Sequence, residues 1–299
     1  MQQTIQQYDA KDLTKIDLFI QLIQSETPLL VSGLHYCESD LTDVVWELAH
    51  RPTAERKTGH IATSLESISE AIHVPEQLGH LVEQIFAQQD MVTKALPVKL
   101  WMQPQGHVSH LHYDGNSLCG INWQVSGEKH WILVSPNTPP PFLPLSQVGC
   151  VPEDYIPDPQ KIDFIELVTQ PGDLLFVPRY WSHQVKSLAQ VNANINWVWT
   201  PTSPDRSSKV GQRECTNLAI RNQMGRLNRY VPYGVSIQDY AEAGDLVLHR
   251  YVKGMSKKVL AAAVLSECIN ILRYFIKRKQ IAQRMADMPG NNFRNLEGG

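Results

Sequence analysis

The chain has 299 residues, 42% of them hydrophobic and 19% charged, with a net charge of -3; this is the balance of a globular protein and excludes a disordered or fibrous one. It holds no apolar run near the roughly 20 residues that cross a bilayer, and its start, MQQTIQQYDAKD, lacks the apolar core of a signal peptide, so a cytoplasmic protein with no membrane contact is expected. The five cysteines (Cys37, Cys119, Cys150, Cys215, Cys268) are scattered and form no CxxC pair, which fits reduced thiols and argues against a Cys-ligated zinc site.

The first hundred residues read as mixed. LTKIDLFIQLI, 13–23, places apolar residues at helical spacing, and SETPLLVSGL then reads as a turn into a short buried strand ended by Gly33. Short helices are expected over 41–49 and 65–72, and a better one over 75–91, with Pro75 at the N-terminal position where proline is tolerated. From Val98 the pattern changes. VKLWMQ, GINWQVSG, KHWILVSP, KIDFIELV, DLLFVP, HQVKSL and NANINWVW are short runs rich in aromatic and β-branched residues, separated by PQG, SGE, PNTPPP and QPGD. Many short strands with turns at this spacing predict an all-β sandwich or barrel and no doubly wound sheet.

TPTSPDRSSKVGQ, 200–212, reads as a linker. Beyond it, 259–279 carries the strongest helical signal, with Val264, Leu265, Cys268, Ile271, Leu272, Phe275 and Ile276 in one apolar stripe. Such a stripe has to be buried, against the barrel or in a dimer. The expected organisation is a β-barrel domain with N-terminal helical and strand elements over 1–204, a C-terminal helical region over 205–288, and a disordered tail over 289–299. Charge follows the same division: 205–284 holds 15 Lys and Arg against 6 Asp and Glu, whereas 1–204 holds 11 against 22. Two complementary surfaces account for this, as would a basic face for an acidic partner.

The chemistry gathers in HLHYD. In a strand, side chains two apart share a face, so an extended segment would align His110, His112 and Asp114. Two histidines and an aspartate on one face are costly to bury unpaired, which favours metal over a structural role. A further ligand is available in QPGDLLFVPRYWSHQVKSL, where a strand ends at Pro178 and an aromatic-rich bend presents His183. Two histidines and one carboxylate suit non-haem Fe(II), because they leave the opposite positions open. The sequence contains no GxSxG, P-loop or GxGxxG.

HYD, QVSGEKHWILVSP, PGDLLFVPRYWSHQV and NINWVW, in this order, resemble the JmjC-type cupin oxygenases, and within them the cupin-like proteins similar to factor-inhibiting-HIF. The resemblance covers 100–199 well and extends weakly to the ETPLLVSGL segment. It implies a mainly β fold with flanking helices, a double-stranded β-helix (jelly-roll) core, and an Fe(II)- and 2-oxoglutarate-dependent dioxygenase that uses O2 to hydroxylate a C–H bond. Its implied metal ligands are His112, Asp114 and His183. Lys129 takes the place of the basic residue that grips 2-oxoglutarate, Ser109 that of a hydroxyl on the same carboxylate, and Asn196 that of a polar residue near the co-substrate. The stretch from Asp114 to Lys129 is slightly longer than in such relatives, so either Asn116 or Asn122 could line the pocket. His110 stands where the family often has a small or apolar residue. It opens a rival set, His110, His112 and His183, for a cupin metalloprotein independent of 2-oxoglutarate. The glutamate that usually follows HxH in cupins is missing, and that set leaves Lys129 unexplained.

The resemblance favours a protein or peptide side chain as substrate, with a small molecule or a tRNA base as alternatives, and a homodimer through the C-terminal helices. Nucleic acid is the weaker partner, since scattered Lys and Arg on helices commonly solvate a surface. Trp101, Trp123, Trp181, Trp197 and Trp199 are expected in the core, and Arg179 either meets a substrate carboxylate or caps the barrel mouth.

Overall fold

The computed structural model describes residues 1–34, 55–57, 60–62, 207–224 and, apart from several loop positions, 74–201, together with Cys268 and Leu272. In chain order the strands are β1 (Gln2–Gln3), β2 (Gln6–Asp9), β3 (Leu29–Ser32), β4 (Glu55–Lys57), β5 (His60–Ala62), β6 (Val92–Ala95), β7 (Lys99–Pro104), β8 (Val108–His112), β9 (Cys119–Ser126), β10 (Lys129–Val134), β11 (Phe164–Thr169), β12 (Leu174–Val177), β13 (Ser182–Ser187) and β14 (Val191–Pro201). They are accompanied by the α-helices α1 (Ile16–Gln24), α2 (Glu76–Ala87) and α3 (Lys209–Met224). The strands form two sheets, ordered β1-β11-β10-β13-β8 and β2-β3-β12-β9-β14-β7-β5-β4, with β6 paired to β14. The fold is mostly β with a jelly-roll core, as the run of short strands predicts.

Strand alternation decides what each sheet faces. Along β9, Cys119, Ile121, Trp123 and Val125 point to one side; along β14, Ala193, Ile195, Trp197 and Trp199 do the same. These residues pack with Leu13, Phe19 and Ile23 around α1 and with Leu78, Leu81, Val82 and Ile85 of α2. The largest apolar cluster therefore lies between the sheet and its helices. The opposite parity, Asn122 on β9 and Asn194 and Asn196 on β14, faces the barrel interior. There a second cluster, including Trp131, Leu133, Ile165, Leu175 and Val185, closes the space between the sheets. Burying one such large apolar side chain is worth about 1.5–3 kcal/mol, so the polar lining of the interior is an expense the core has to carry.

Each strand expected beyond Val98 is present. The helix expected over 13–23 begins as a 3-10 turn, Ala10–Thr14, capped by Asp9, and continues as α1. The one expected over 75–91 is α2, with Pro75 as its N-cap. The linker expected over 200–212 is shorter than the composition suggests. β14 runs to Pro201, and α3 starts at Lys209, where the Ser208 hydroxyl accepts from Gly211 N at 3.0 Å. A Ser-rich stretch read as loop here supplies a helix cap. The helices expected over 41–49 and 65–72 lie outside the described residues. Of the 259–279 stripe, the described residues are Cys268 and Leu272; both are helical and exposed, Leu272 by 61%.

The turn from β9 to β10 aims Lys129 into the barrel, and it requires a glycine. Gly127 has φ +70°, and a Cβ there would overlap the Val191 carbonyl oxygen and meet Asn192 Oδ1 at 2.6 Å. Gly127→Ala is expected to cost about 1–3 kcal/mol from backbone strain alone, with the overlap adding to it. A thermal melt tests this, and an unchanged Tm would contradict it.

Candidate metal centre and co-substrate pocket

His112 ends β8 and His183 opens β13, and the two are cross-strand partners. Their ring centroids lie 4.4 Å apart. Asp114 sits in the turn just past β8, with Oδ1 3.8 Å from His112 Nε2. One ligand atom from each of the three falls within 4.8 Å of the others, the one such group of His, Cys, Asp or Glu among the described residues.

Both rings are oriented by the backbone. His112 Nδ1 lies 2.6 Å from the His110 carbonyl oxygen, and His183 Nδ1 lies 3.1 Å from that of Trp181. A carbonyl only accepts, so each Nδ1 carries the proton and each Nε2 presents a lone pair. Burial, and then the neighbouring His112, push His183 down to about 4, so it is neutral near pH 7. Two imidazoles in the metal-binding tautomer beside a carboxylate form a donor set that a divalent transition metal fits.

The expectation that His110, His112 and Asp114 share one face fails. His183 pairs with His112 and Val185 with Ser109, so two residues of β8, His110 and Leu111, oppose the single Gln184 of β13. This β-bulge turns Ser109 and His112 toward the same interior wall. Leu111 packs in a separate cluster with Ile132, Val134 and Phe164, and His110 is not among the residues that line the cavity. Desolvation lowers His110 to about 4; it is a neutral, largely buried ring outside the three-residue group.

The group lies on the wall of a cavity of about 170 Å³. A water needs only about 10–15 Å³ of such space, so a small organic molecule can be accommodated. Lys129 lies on the same wall, 2% exposed. β10 pairs Leu133 with His183, so Lys129 is four residues farther along, roughly 13 Å of strand. Its ammonium donates to Asn194 Oδ1, a neutral partner, and burial lowers it to about 7. A buried cation held by a carbonyl alone calls for an anion. Around it, Gln103 Nε2 makes a long contact to Ser109 Oγ (3.4 Å), and Asn196 Nδ2 donates to Asn122 Oδ1 at 2.6 Å. Ser109, Lys129, Asn196 and the three metal-group residues thus converge on one cavity, and Asn122 lines it; Asn116 lies outside the described residues.

Several wall residues went unread. Asn194 was legible as the middle of the NANIN alternation that also carries Asn196. Lys99 and Gln103 share the inward parity of β7 with Trp101, which lines the cavity in contrast to the core role expected of it; Trp123, Trp181, Trp197 and Trp199 are buried apolar core. Arg179, 6% exposed, pairs with Glu26 and is not among the cavity-lining residues.

A family model described as the cupin-like domain matches residues 47–205, more than half of the chain. The chain belongs to the cupin-like domain family. Among curated proteins, the chain is 36% identical over 118 residues to Jumonji C domain-containing protein 5 of Drosophila melanogaster, covering 35% of this chain and 28% of that protein. It is 32% identical over 123 residues to HSPB1-associated protein 1 of Rattus norvegicus, covering 37% and 25%. It is 28% identical over 116 residues to arginine-specific demethylase JMJ20 of Arabidopsis thaliana, covering 33% and 25%. The matches thus span about a quarter of the length of these relatives, the first of which is named for a Jumonji C domain. No helix among the described residues is long and apolar enough to cross a membrane.

Proposed function

We propose that the protein is an Fe(II)- and 2-oxoglutarate-dependent oxygenase that hydroxylates a C–H bond, with His112, Asp114 and His183 as metal ligands. One observation carries this reading: a facial His/Asp/His group and a buried, anion-seeking lysine share one cavity. The bound metal, with 2-oxoglutarate and O2, would supply the oxidation of the C–H bond, forming succinate and CO2. The chain's own residues do the rest. Lys129, steadied by Asn194, binds the distal carboxylate of the co-substrate; Ser109 offers it a hydroxyl. The His110 and Trp181 carbonyls hold the Nδ1 protons of His112 and His183. Trp131, Val177 and Val185 line the cavity with apolar surface and keep water from the co-substrate.

The substrate we favour is a protein or peptide side chain, supported by the motif resemblance to the factor-inhibiting-HIF-like group, which is an argument from analogy. One relative is named an arginine-specific demethylase, and arginine is a side chain that a protein or peptide substrate would present. Release of succinate from 2-oxoglutarate by wild-type protein loaded with Fe(II), set beside His183→Ala, tests the reaction class; equal release from both would refute it. His110→Ala is expected to leave metal affinity in equilibrium dialysis unchanged. A loss as large as that of His112→Ala would instead restore the three-histidine set.

A further inference from the structure

Asp114 offers its carboxylate from a turn, 42% exposed, and His112 lies 3.8 Å away. The residue between them, Tyr113, is the fixed point. It is 0% exposed, with its ring edge-on to Phe142 and Tyr180 at centroid distances of 5.1 and 6.2 Å. Its hydroxyl donates to Glu214 Oε2 at 2.6 Å, across 101 residues of sequence.

Glu214 stands on α3, beyond the family-matched region, and is itself 0% exposed. Its other oxygen, Oε1, is buried without a hydrogen-bond partner. A carboxylate buried on one donor is expensive, and an apolar residue of similar size would stabilise the fold more. Packing alone therefore gives no reason for glutamate here. The helix it sits on is tied to the same region: Val210 N donates to the Pro136 carbonyl at 3.1 Å, Val210 packs with Tyr113 and Tyr180, and the Arg213 guanidinium lies 5.3 Å over the Phe142 ring. The far side of the turn is gripped as well, since the Ser117 and Tyr180 hydroxyls are hydrogen-bonded. Tyr180 belongs to the bend that delivers His183 and holds φ +65°, a conformation costly for a tyrosine.

We propose that Glu214 is a positioning residue for the metal centre. Through Tyr113 it locks the turn between His112 and Asp114, so that α3 sets metal affinity without touching the metal. The inference rests on the metal-centre reading above, and Co(II), a spectroscopically visible probe, separates the two. Wild type and His183→Ala are titrated with Co(II) first, then Tyr113→Phe, Glu214→Leu, the double variant and Glu214→Gln, each with a thermal melt. Tyr113→Phe and Glu214→Leu are each expected to weaken Co(II) binding roughly 10- to 100-fold, the range for residues that orient ligands, and to alter the visible spectrum. The double variant is expected to be no worse than either single one. Glu214→Gln, which keeps an acceptor, is expected to bind as wild type does, and Glu214→Leu to melt no lower than wild type. Unchanged Co(II) affinity and spectrum in Tyr113→Phe, which changes no packing volume, would overturn the proposal and leave the metal centre standing. Losses that merely track the melting temperature would overturn it too. A wild-type protein that binds no Co(II) would overturn the metal reading itself.

Discussion

Lys129→Met is expected to weaken 2-oxoglutarate binding by roughly 30- to 4,000-fold, the equivalent of about 2–5 kcal/mol for removing one partner of a buried charge pair. The metal group contains no atom of Lys129, so metal affinity is expected to survive. The same substitution is expected to raise the melting temperature of the ligand-free protein, because it removes an ammonium that burial disfavours and only the Asn194 carbonyl compensates. A variant that loses function while gaining stability is the mark of a cation kept for its ligand. Calorimetric titration and a melt, run together, check both halves.

The lowered Lys129 carries a pH consequence. Its pKa falls from 10.5 to about 7 on folding, so between those values the unfolded chain binds more protons than the folded one. Stability of the ligand-free protein is therefore expected to rise as pH increases from about 7 toward 10.5, with respect to this residue. Binding a carboxylate favours the ammonium, so at pH 8 the association is expected to take up a proton. Calorimetry in buffers of different ionisation enthalpy reads that proton directly, and Lys129→Met is expected to abolish it.

The second large effect lies at the metal centre. His183→Ala and Asp114→Ala are each expected to reduce succinate formation to background and to abolish Fe(II) binding at concentrations that saturate wild type. Two donors in an open cavity do not complete a facial set. The two variants should part company in the melt. His183 is 9% exposed beside Trp131, with centroids 6.2 Å apart, so its loss leaves a hole in a packed wall. Asp114 is 42% exposed on its turn, so its replacement is expected to leave Tm near wild type. Retention of tight Fe(II) binding by Asp114→Ala would remove the carboxylate from the ligand set.

Much of this site is legible in the sequence because strands write their faces as alternation. NANINWVW announces both the asparagines that line the cavity and the Ile195, Trp197 and Trp199 face that packs on the helices. HYD and the bend before His183 announce the metal group, since the strand ends they occupy lie side by side. The expected alignment of His110 with His112 and Asp114 fails because a bulge between β8 and β13 breaks the period of two, and no residue type in VSHLH signals it. Tyr180 was legible as part of the aromatic-rich bend, but its left-handed backbone was not: no residue type there signals it, and only the folded chain shows its contacts with Tyr113 and Ser117. Glu214 was invisible for a different reason. A lone glutamate on a largely polar helix reads as surface, and only the folded chain brings it under the residue between two metal ligands.

The most direct test of the account is an anaerobic titration of Fe(II)-loaded protein with 2-oxoglutarate, followed by the visible charge-transfer absorption that chelation at a facial triad produces. Wild type and His110→Ala are expected to develop the band. Asp114→Ala is expected to show none, and Lys129→Met only at much higher co-substrate concentration. A wild-type protein that binds Fe(II) yet develops no band, or a band that needs His110 and survives without Asp114, would contradict the assignment of this cavity to a 2-oxoglutarate oxygenase.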